Sequence, residues 1–88
     1  MKKESLDILE NIFSILRDHK ATHQHHSRDC DYFADKYVRL KQAILDGNDK
    51  EMESCLEWNR LYAPRIIYEG IGNKILMNEI EKLNSIFR

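Results

Sequence analysis

The chain has 88 residues, of which 42% are hydrophobic and 33% are charged, and its formal net charge is −1. This balance predicts a single folded domain over residues 1–88, because disordered chains combine low hydrophobicity with a high net charge. It also argues against nucleic acid as a partner, since binding to the phosphate backbone needs an excess of Lys and Arg.

The first predicted element is a helix between Glu4 and Lys20. Polar residues recur along one side of it, and large apolar residues fill the remaining arc: Leu6, Ile8, Leu9, Ile12, Phe13, Ile15 and Leu16. This arc is wider than the stripe of about 100° that a surface helix of a monomer needs. The helix is therefore either central in its own bundle or covered in part by a second copy of the chain. We predict a homodimer with Ile8, Ile12 and Ile15 at its interface.

The segment from His19 to Cys30 contains all four histidines and separates the first two helical patterns. It has no Gly or Pro, but Thr, His, Ser and Asp are indifferent helix formers. We therefore place a break between the helices within Thr22–Ser27. The alternative is one continuous helix from about Lys3 to Asp46, roughly 65 Å long at 1.5 Å per residue, which would favour dimerisation strongly.

If this segment is helical, His19, His23, His26 and Cys30 share one stripe at spacings of four, three and four. Two histidines one turn apart can bind the same ion, so one hypothesis is a site for a divalent transition metal. A single stripe rarely supplies more than two ligands, and no second His or Cys pair elsewhere would complete the site. A polar loop between helices explains the same residues, so we expect no cofactor. Clustered imidazoles would also change their charge at about pH 6.5, which is the basis of a second hypothesis, a pH switch.

A second helix is predicted from about Arg28 to Leu45. Its buried seam consists of four apolar residues at helical spacing: Phe33, Tyr37, Leu40 and Ile44. Gly47 lies just past this helix, where a positive φ is needed to end it. Asn48 follows as the predicted N-cap of a third helix.

The third helix points Met52, Cys55, Leu56 and Asn59 inward until Pro64 ends or kinks it. Asn73 is the predicted cap of a last helix, whose buried stripe is Leu76, Ile80, Leu83 and Phe87. Helical segments of similar length with short connections predict an all-α fold. We expect a small antiparallel bundle of three to four helices.

The segment around Pro64 combines aromatic residues with arginines: Trp58, Arg60, Tyr62, Arg65 and Tyr68. Such side chains are common anchors of protein interfaces and of sites for small anionic ligands. These five residues are therefore the candidate binding site for a partner or a ligand. An aromatic cluster that closes the end of the core, with solvated arginines at its edge, is the structural alternative.

The cysteine content and the N-terminal residues indicate the cellular compartment. Two cysteines are too few for the disulfide framework of a small secreted domain. Glu4, Asp7 and Glu10 interrupt the apolar core that a signal peptide needs, and no apolar run approaches the roughly eighteen residues of a membrane span. We therefore expect a cytoplasmic protein with no membrane partner.

Two classes of function remain. Catalysis has little support, because spacing identifies no catalytic triad and an all-helical chain of this size offers no strand-supported cleft. We expect a small regulator, inhibitor or adaptor that binds another protein as a homo-oligomer. The alternative is a helical bundle that binds a metal through the histidine stripe or a small anionic ligand through the segment around Pro64.

Overall fold

The computed structural model describes residues 2–87, and nearly all of them are helical. The helices are α1 (Lys2–Thr22), α2 (Ser27–Asp46), α3 (Asp49–Leu61), α4 (Ala63–Ile66) and α5 (Lys74–Ile86). A 3₁₀ turn at Gln24–His26 joins α1 to α2, and a π-helical turn at Ile67–Ile71 follows α4. No strand occurs within residues 2–87, and the predicted all-α bundle is confirmed.

The long helices pack antiparallel around one core. Ion pairs from Lys41 Nζ to Glu10 Oε1 (2.8 Å) and from Lys20 Nζ to Asp31 Oδ1 (2.6 Å) show that α1 and α2 run in opposite directions. On another side of α1, Asn11 Nδ2 donates to Glu79 Oε1 of α5 at 2.8 Å. Helix α2 also packs on α3, so the four helices α1, α2, α3 and α5 enclose the core.

The core is built from the predicted helical seams. The fully buried side chains with 0% exposure are Leu9, Ile12, Phe33, Leu40, Asn59, Ala63, Leu76, Ile80, Leu83 and Ser5. Phe87, which the spacing also assigned to the buried stripe, is only half-buried at the end of the chain. Spacing at three and four residues therefore predicted the packed faces of α1, α2 and α5 correctly.

The break between the first two helices falls where the weak helix formers predicted it. Helix α1 ends at Thr22, and His23 has φ −132° and ψ 71°, outside the helical region. Helix α2 begins at Ser27 and folds back onto α1. The alternative of one continuous helix is wrong, because folding back lets the two apolar seams bury each other within one chain.

The predicted interface residues of α1 occupy the chain's own core. Ile12 is 0% exposed, Ile8 is 7% exposed and Ile15 is half-buried, because α2 and α5 pack on two sides of α1. These residues therefore offer little surface to a second copy, which removes the reason for placing an interface there. Homodimerisation itself stays a prediction.

No helix within residues 2–87 is long and apolar enough to cross a lipid bilayer.

The turn between α2 and α3 has the predicted chemistry. Gly47 has φ 67°, and its N–H and that of Asn48 donate to the last carbonyls of α2. Asn48 Oδ1 accepts the N–H of Glu51 at 3.1 Å, which caps α3. A left-handed glycine followed by an Asn cap therefore ends one helix and begins the next.

Replacing Gly47 tests this turn. A Cβ there would meet nothing within 4 Å, so only the backbone conformation resists a side chain. We expect Gly47→Ala to lower the free energy of unfolding by about 1 kcal/mol, measured by urea denaturation. Gly47→Asn should lose less, because Asn tolerates the left-handed region better than Ala. Equal stability of all three proteins would contradict the prediction.

At Pro64 the helical path of the chain bends and continues as α4 rather than stopping. Tyr62 has φ −113°, yet its carbonyl accepts the N–H of Ile66 at 3.1 Å across the proline. Ala63, Ile67 and Ile71 are buried and attach this segment to the core. The π-helical turn then closes with the N–H of Gly72 donating to the carbonyl of Ile67 at 2.7 Å. The segment after α4 is therefore a π-helical turn that ends at Gly72.

A buried polar network ties three helices together. Tyr37 Oη of α2 donates to Asn59 Oδ1 of α3, and both side chains are almost fully buried. Asn59 Nδ2 donates to Asn84 Oδ1 at 2.7 Å and to the carbonyl of Ile80 at 3.4 Å, both in α5. Burial raises the pKa of the Tyr37 phenol well above its ordinary value, so the phenol remains a hydrogen-bond donor.

Candidate functional site

Three histidines meet where α1 ends and α2 begins. His19 Nε2 lies 2.8 Å from His26 Nδ1, and the two ring planes differ by only 2°. This nitrogen separation is shorter than the spacing of stacked rings, so the two imidazoles lie side by side and share an in-plane hydrogen bond. The ring of His23 stacks on His19, with centroids 4.2 Å apart. We call His19, His23 and His26 the histidine cluster.

Asn73 determines which nitrogen of His19 carries the proton. Asn73 Oδ1 accepts the N–H of Leu76 at 3.0 Å as the cap of α5, which leaves the amide Nδ2 facing His19 Nδ1 at 3.2 Å. An amide nitrogen can only donate, so His19 Nδ1 accepts and its Nε2 carries the proton. His19 Nε2 then donates to His26 Nδ1. The hydrogen bonds therefore select the neutral form of His19.

The surroundings of His19 also disfavour its charged form. Its side chain is 8% exposed. Burial lowers the pKa of His19 below its ordinary value, and positive charge on His23, His26 and His25 would lower it further. Desolvation, charge repulsion and hydrogen bonding all act in the same direction. His19 is therefore a buried neutral histidine that joins the ends of three helices.

The structure assembles only part of the predicted metal stripe. Because α1 ends at Thr22, the stripe does not continue, and Cys30 is buried in the core instead of joining the histidine cluster. Burial raises the pKa of the Cys30 thiol, with Asp31 and Asp29 adding to the shift, and this disfavours the thiolate that binds metal. Within residues 2–87, no three His, Cys, Asp or Glu side chains converge as metal ligands. Metal binding stays a prediction.

Trp58 is the supporting residue of the predicted aromatic segment. Its ring lies half-buried, edge-on to Tyr32, Phe33 and Tyr37 of α2, with centroid distances of 5.7, 5.2 and 5.7 Å. Its Nε1 donates to Tyr32 Oη at 3.1 Å. Lys36 Nζ lies 5.6 Å from the Trp58 and Tyr32 ring centroids, within the range of a cation–π contact. Trp58 therefore fixes α3 against α2.

The exposed part of the segment lies around Arg65. Leu61, Tyr62 and Tyr68 are each three or four residues from Arg65, and their exposed fractions are 49%, 57% and 87%. Helical spacing places these side chains around the arginine. Arg65 Nε lies 3.3 Å from Glu69 Oε1, in an ion pair open to solvent. We call Leu61, Tyr62, Arg65 and Tyr68 the α4 surface.

Arg60 belongs to a different surface from the other predicted binding residues. It lines a groove between α3 and α5, together with Met52, Leu56 and Phe87. The five predicted site residues therefore separate into a supporting tryptophan, three members of the α4 surface and one arginine on another side of α3. Helical spacing alone could have predicted this separation, because Arg60 lies two residues from both Trp58 and Tyr62, and residues two apart on a helix do not face each other.

Sequence reasoning missed two residues that complete these sites. Tyr32 lies beside the buried seam of α2, so nothing in the spacing connects it to Trp58, 26 residues later. Asn73 was predicted as a helix cap, but its second hydrogen bond to His19 spans 54 residues. Only the packing of α2 against α3, and of α1 against α5, brings these pairs together.

Comparison with known proteins adds no family to this description. No protein-family model matches the chain, and neither the characterised proteins nor the solved structures yield a significant match. The function must therefore be inferred from the side chains of the chain itself.

Proposed function

We propose that this protein is a non-catalytic interaction module that binds a partner protein through the α4 surface. The observation that carries the proposal is the exposure of Tyr68, Tyr62 and Leu61 at spacings of three and four residues from one arginine. Single exposed apolar residues are ordinary, but aromatic residues clustered with Arg have the composition of interface hot spots. A partner that covers them would remove this apolar area from water.

The residues beneath the α4 surface are buried and hold its backbone in place, which favours binding. Ala63 and Ile67 are buried at 0% and 2% exposure and attach the segment to the core, while Trp58 anchors α3 to α2. A surface held in this way loses little conformational entropy when a partner docks. The α4 surface is therefore preorganised, although its side chains are open to solvent.

The charges suggest the chemistry of the partner. The Arg65 and Glu69 side chains are 78% and 61% exposed, so their ion pair is weak in water. A carboxylate on a partner could replace Glu69, and its bond to Arg65 would strengthen as water is excluded. We therefore propose a partner that presents apolar side chains beside an acidic residue.

The chemical state of the other reactive groups supports a non-catalytic role. Burial raises the pKa of both thiols, and at Cys55 the charge of Glu51 raises it further. Both cysteines are therefore protonated near neutral pH and poorly nucleophilic. The imidazole of His19 is already engaged by Asn73 and His26.

A matched pair of arginine substitutions tests the proposal. Arg65→Ala should weaken capture of a partner from the native host at least about fivefold, because hot-spot arginines contribute more than about 1 kcal/mol. Arg60→Ala makes the same chemical change on another surface and should leave capture unchanged. Both melting temperatures should stay near that of the wild type, since exposed ion pairs contribute little to folding.

The aromatic residues provide a stronger test of the same surface. We expect the double variant Tyr62→Ala, Tyr68→Ala to reduce capture at least about thirtyfold, as loss of hot-spot aromatics does. Ile75→Ala is the control, because Ile75 is 64% exposed on α5 and lies outside the α4 surface. The proposal fails if every captured protein is retained equally by the double variant and by the control.

A further inference from the structure

The α1–α2 hairpin carries an apolar face that none of the other helices covers. Val38 and Leu45 of α2 are 55% and 47% exposed, and Leu6, Phe13 and Ala34 beside them are half-buried. The pair of Lys41 with Glu10 sets the register of the two helices, so Phe13 lies level with Val38 and Leu6 lies level with Leu45. We call these five residues the hairpin face.

A groove extends the hairpin face toward the turn between the two helices. It has a volume of about 790 Å³, and Phe13, Leu16, Cys30 and Ala34 supply its apolar lining. Arg17 and Lys20 of α1 and Asp31 of α2 also line it. The hairpin therefore presents an apolar strip along most of its length, crossed between Phe13 and Leu6 by the ion pair of Lys41 with Glu10.

We propose that a second copy of the chain covers the hairpin face across a twofold axis. The axis lies in the interface, perpendicular to the helices, at the level of Phe13 and Val38. It places each α1 antiparallel to the other α1, and each α2 antiparallel to the other α2. Phe13 then packs on Phe13 of the other copy, and Val38 packs on Val38, as an isologous interface requires.

The charges beside Phe13 are complementary under this axis. Glu10 lies three residues before Phe13 and Arg17 lies four residues after it. Antiparallel pairing centred there brings Glu10 of one copy next to Arg17 of the other, and the twofold axis repeats the contact. Within the described residues, Arg17 has no carboxylate at ion-pair distance and makes only a 3.5 Å contact with Ser14 Oγ.

The length of the strip favours a second copy over a small ligand. A ligand in the groove would leave Val38 and Leu45 exposed, because Leu45 lies eleven residues beyond Ala34, roughly 16 Å along the helix. A helical hairpin of the same length covers the whole strip. The hairpin face shares no residue with the α4 surface, so self-association does not depend on the proposed function.

The mass of the protein in solution tests the proposal. Sedimentation equilibrium at micromolar concentration should give twice the monomer mass of 10.5 kDa for the wild type. Val38→Glu should raise the dissociation constant at least about 100-fold, since two copies of the charge would be desolvated. Ile75→Glu adds the same charge to an exposed site on α5 and should leave the constant unchanged. Circular dichroism confirms that each variant is folded.

A charge swap tests the register. Glu10→Arg and Arg17→Glu should each weaken the dimer roughly threefold to tenfold, because each removes two symmetric pairs and places like charges together. The double variant reverses both partners and should recover to within about twofold of the wild-type constant. The double variant does not restore the pair of Glu10 with Lys41 within one chain. Any recovery of the dissociation constant therefore reports the contact between the two copies.

Several results would overturn the proposal. These are a wild-type mass of 10.5 kDa at micromolar concentration, a dimer unaffected by Val38→Glu, and a double swap no better than either single variant. The double variant Tyr62→Ala, Tyr68→Ala should keep the wild-type mass. Failure of the dimer and failure of partner binding at the α4 surface are therefore distinguishable.

Discussion

Asn59→Leu should lower the free energy of unfolding by about 2–3 kcal/mol, although it conserves side-chain size and adds apolar surface. The Tyr37 hydroxyl, which donates to Asn59 Oδ1 and is almost fully buried, would lose its acceptor. An unpaired buried polar group costs about 1–3 kcal/mol, and reshaping a close-packed site adds to it. Asn84 is half-buried, so its freed oxygen can bond to water. Urea denaturation followed by circular dichroism measures the loss.

A double-mutant cycle separates the hydrogen bond from packing. Tyr37→Phe alone should cost about 1–2 kcal/mol, because Asn59 Oδ1 loses its donor. The combination of Tyr37→Phe with Asn59→Leu removes both partners and should cost less than the sum by about 1 kcal/mol or more. Strict additivity would show that the two groups do not stabilise each other. Such losses are large against the 5–15 kcal/mol that stabilises a typical domain.

Asn59 also shows how far the sequence could predict the fold. Its spacing from Cys55 and Ala63 correctly predicts that it lies on the buried side of α3. The donor it needs comes from Tyr37 and the acceptor from Asn84, which lie 22 and 25 residues away. Local spacing predicts which face of a helix is buried, whereas the pairing of polar groups depends on how the helices pack.

The histidine segment also separates what local spacing predicts from what depends on how the helices pack. Weak helix formers correctly predict the break, whereas the spacing of the histidines and Cys30 suggests a helical stripe of ligands that the break interrupts. Once α1 ends at Thr22, His26 returns beside His19 through the turn and the two rings bond to each other. Three residues of the α4 surface belong to one predicted group, but that group also includes Arg60, although helical spacing places Arg60 on another side of α3.

The stability of the protein should fall as the pH is lowered below about 6.5, the ordinary pKa of histidine. The folded pKa of His19 is lowered, so the unfolded chain binds more protons between the folded and unfolded values. Stability is therefore complete above the unfolded pKa and is lost as the pH falls through the folded pKa. His19→Gln should flatten this dependence relative to the wild type, as measured by urea denaturation across the pH range.

Glu79 contributes a separate loss at lower pH. Burial alone would raise the pKa of Glu79, but hydrogen bonds from Lys82 and Asn11 and the charge of Lys82 outweigh burial and hold it below its ordinary value. Its stabilisation is therefore present above the unfolded pKa of about 4.3 and is lost as the pH falls through the folded value. The Glu79 and His19 contributions occupy different pH ranges, so Glu79→Gln should leave the slope near pH 6 unchanged.

Asn73→Asp should reverse the sign of the His19 effect. The aspartate keeps an oxygen to accept the N–H of Leu76, so α5 remains capped. Its second oxygen replaces the amide that now faces His19 Nδ1 at 3.2 Å, and a carboxylate there favours the imidazolium. The pKa of His19 should then rise above its unfolded value, giving stability that is present below the unfolded pKa and lost as the pH rises through the folded one.

Titration by nuclear magnetic resonance measures this reversal at one residue. The His19 ring should titrate below its ordinary pKa in the wild type and above it in Asn73→Asp. His25→Asn should keep both directions, because His25 makes the smallest of the contributions to the lowered pKa. A His19 pKa that is the same in wild type and Asn73→Asp would show that Asn73 does not control its proton. The contribution of His19 to the slope of stability against pH should change sign with its pKa, since both report the same difference in protons bound by His19 between the folded and unfolded chain.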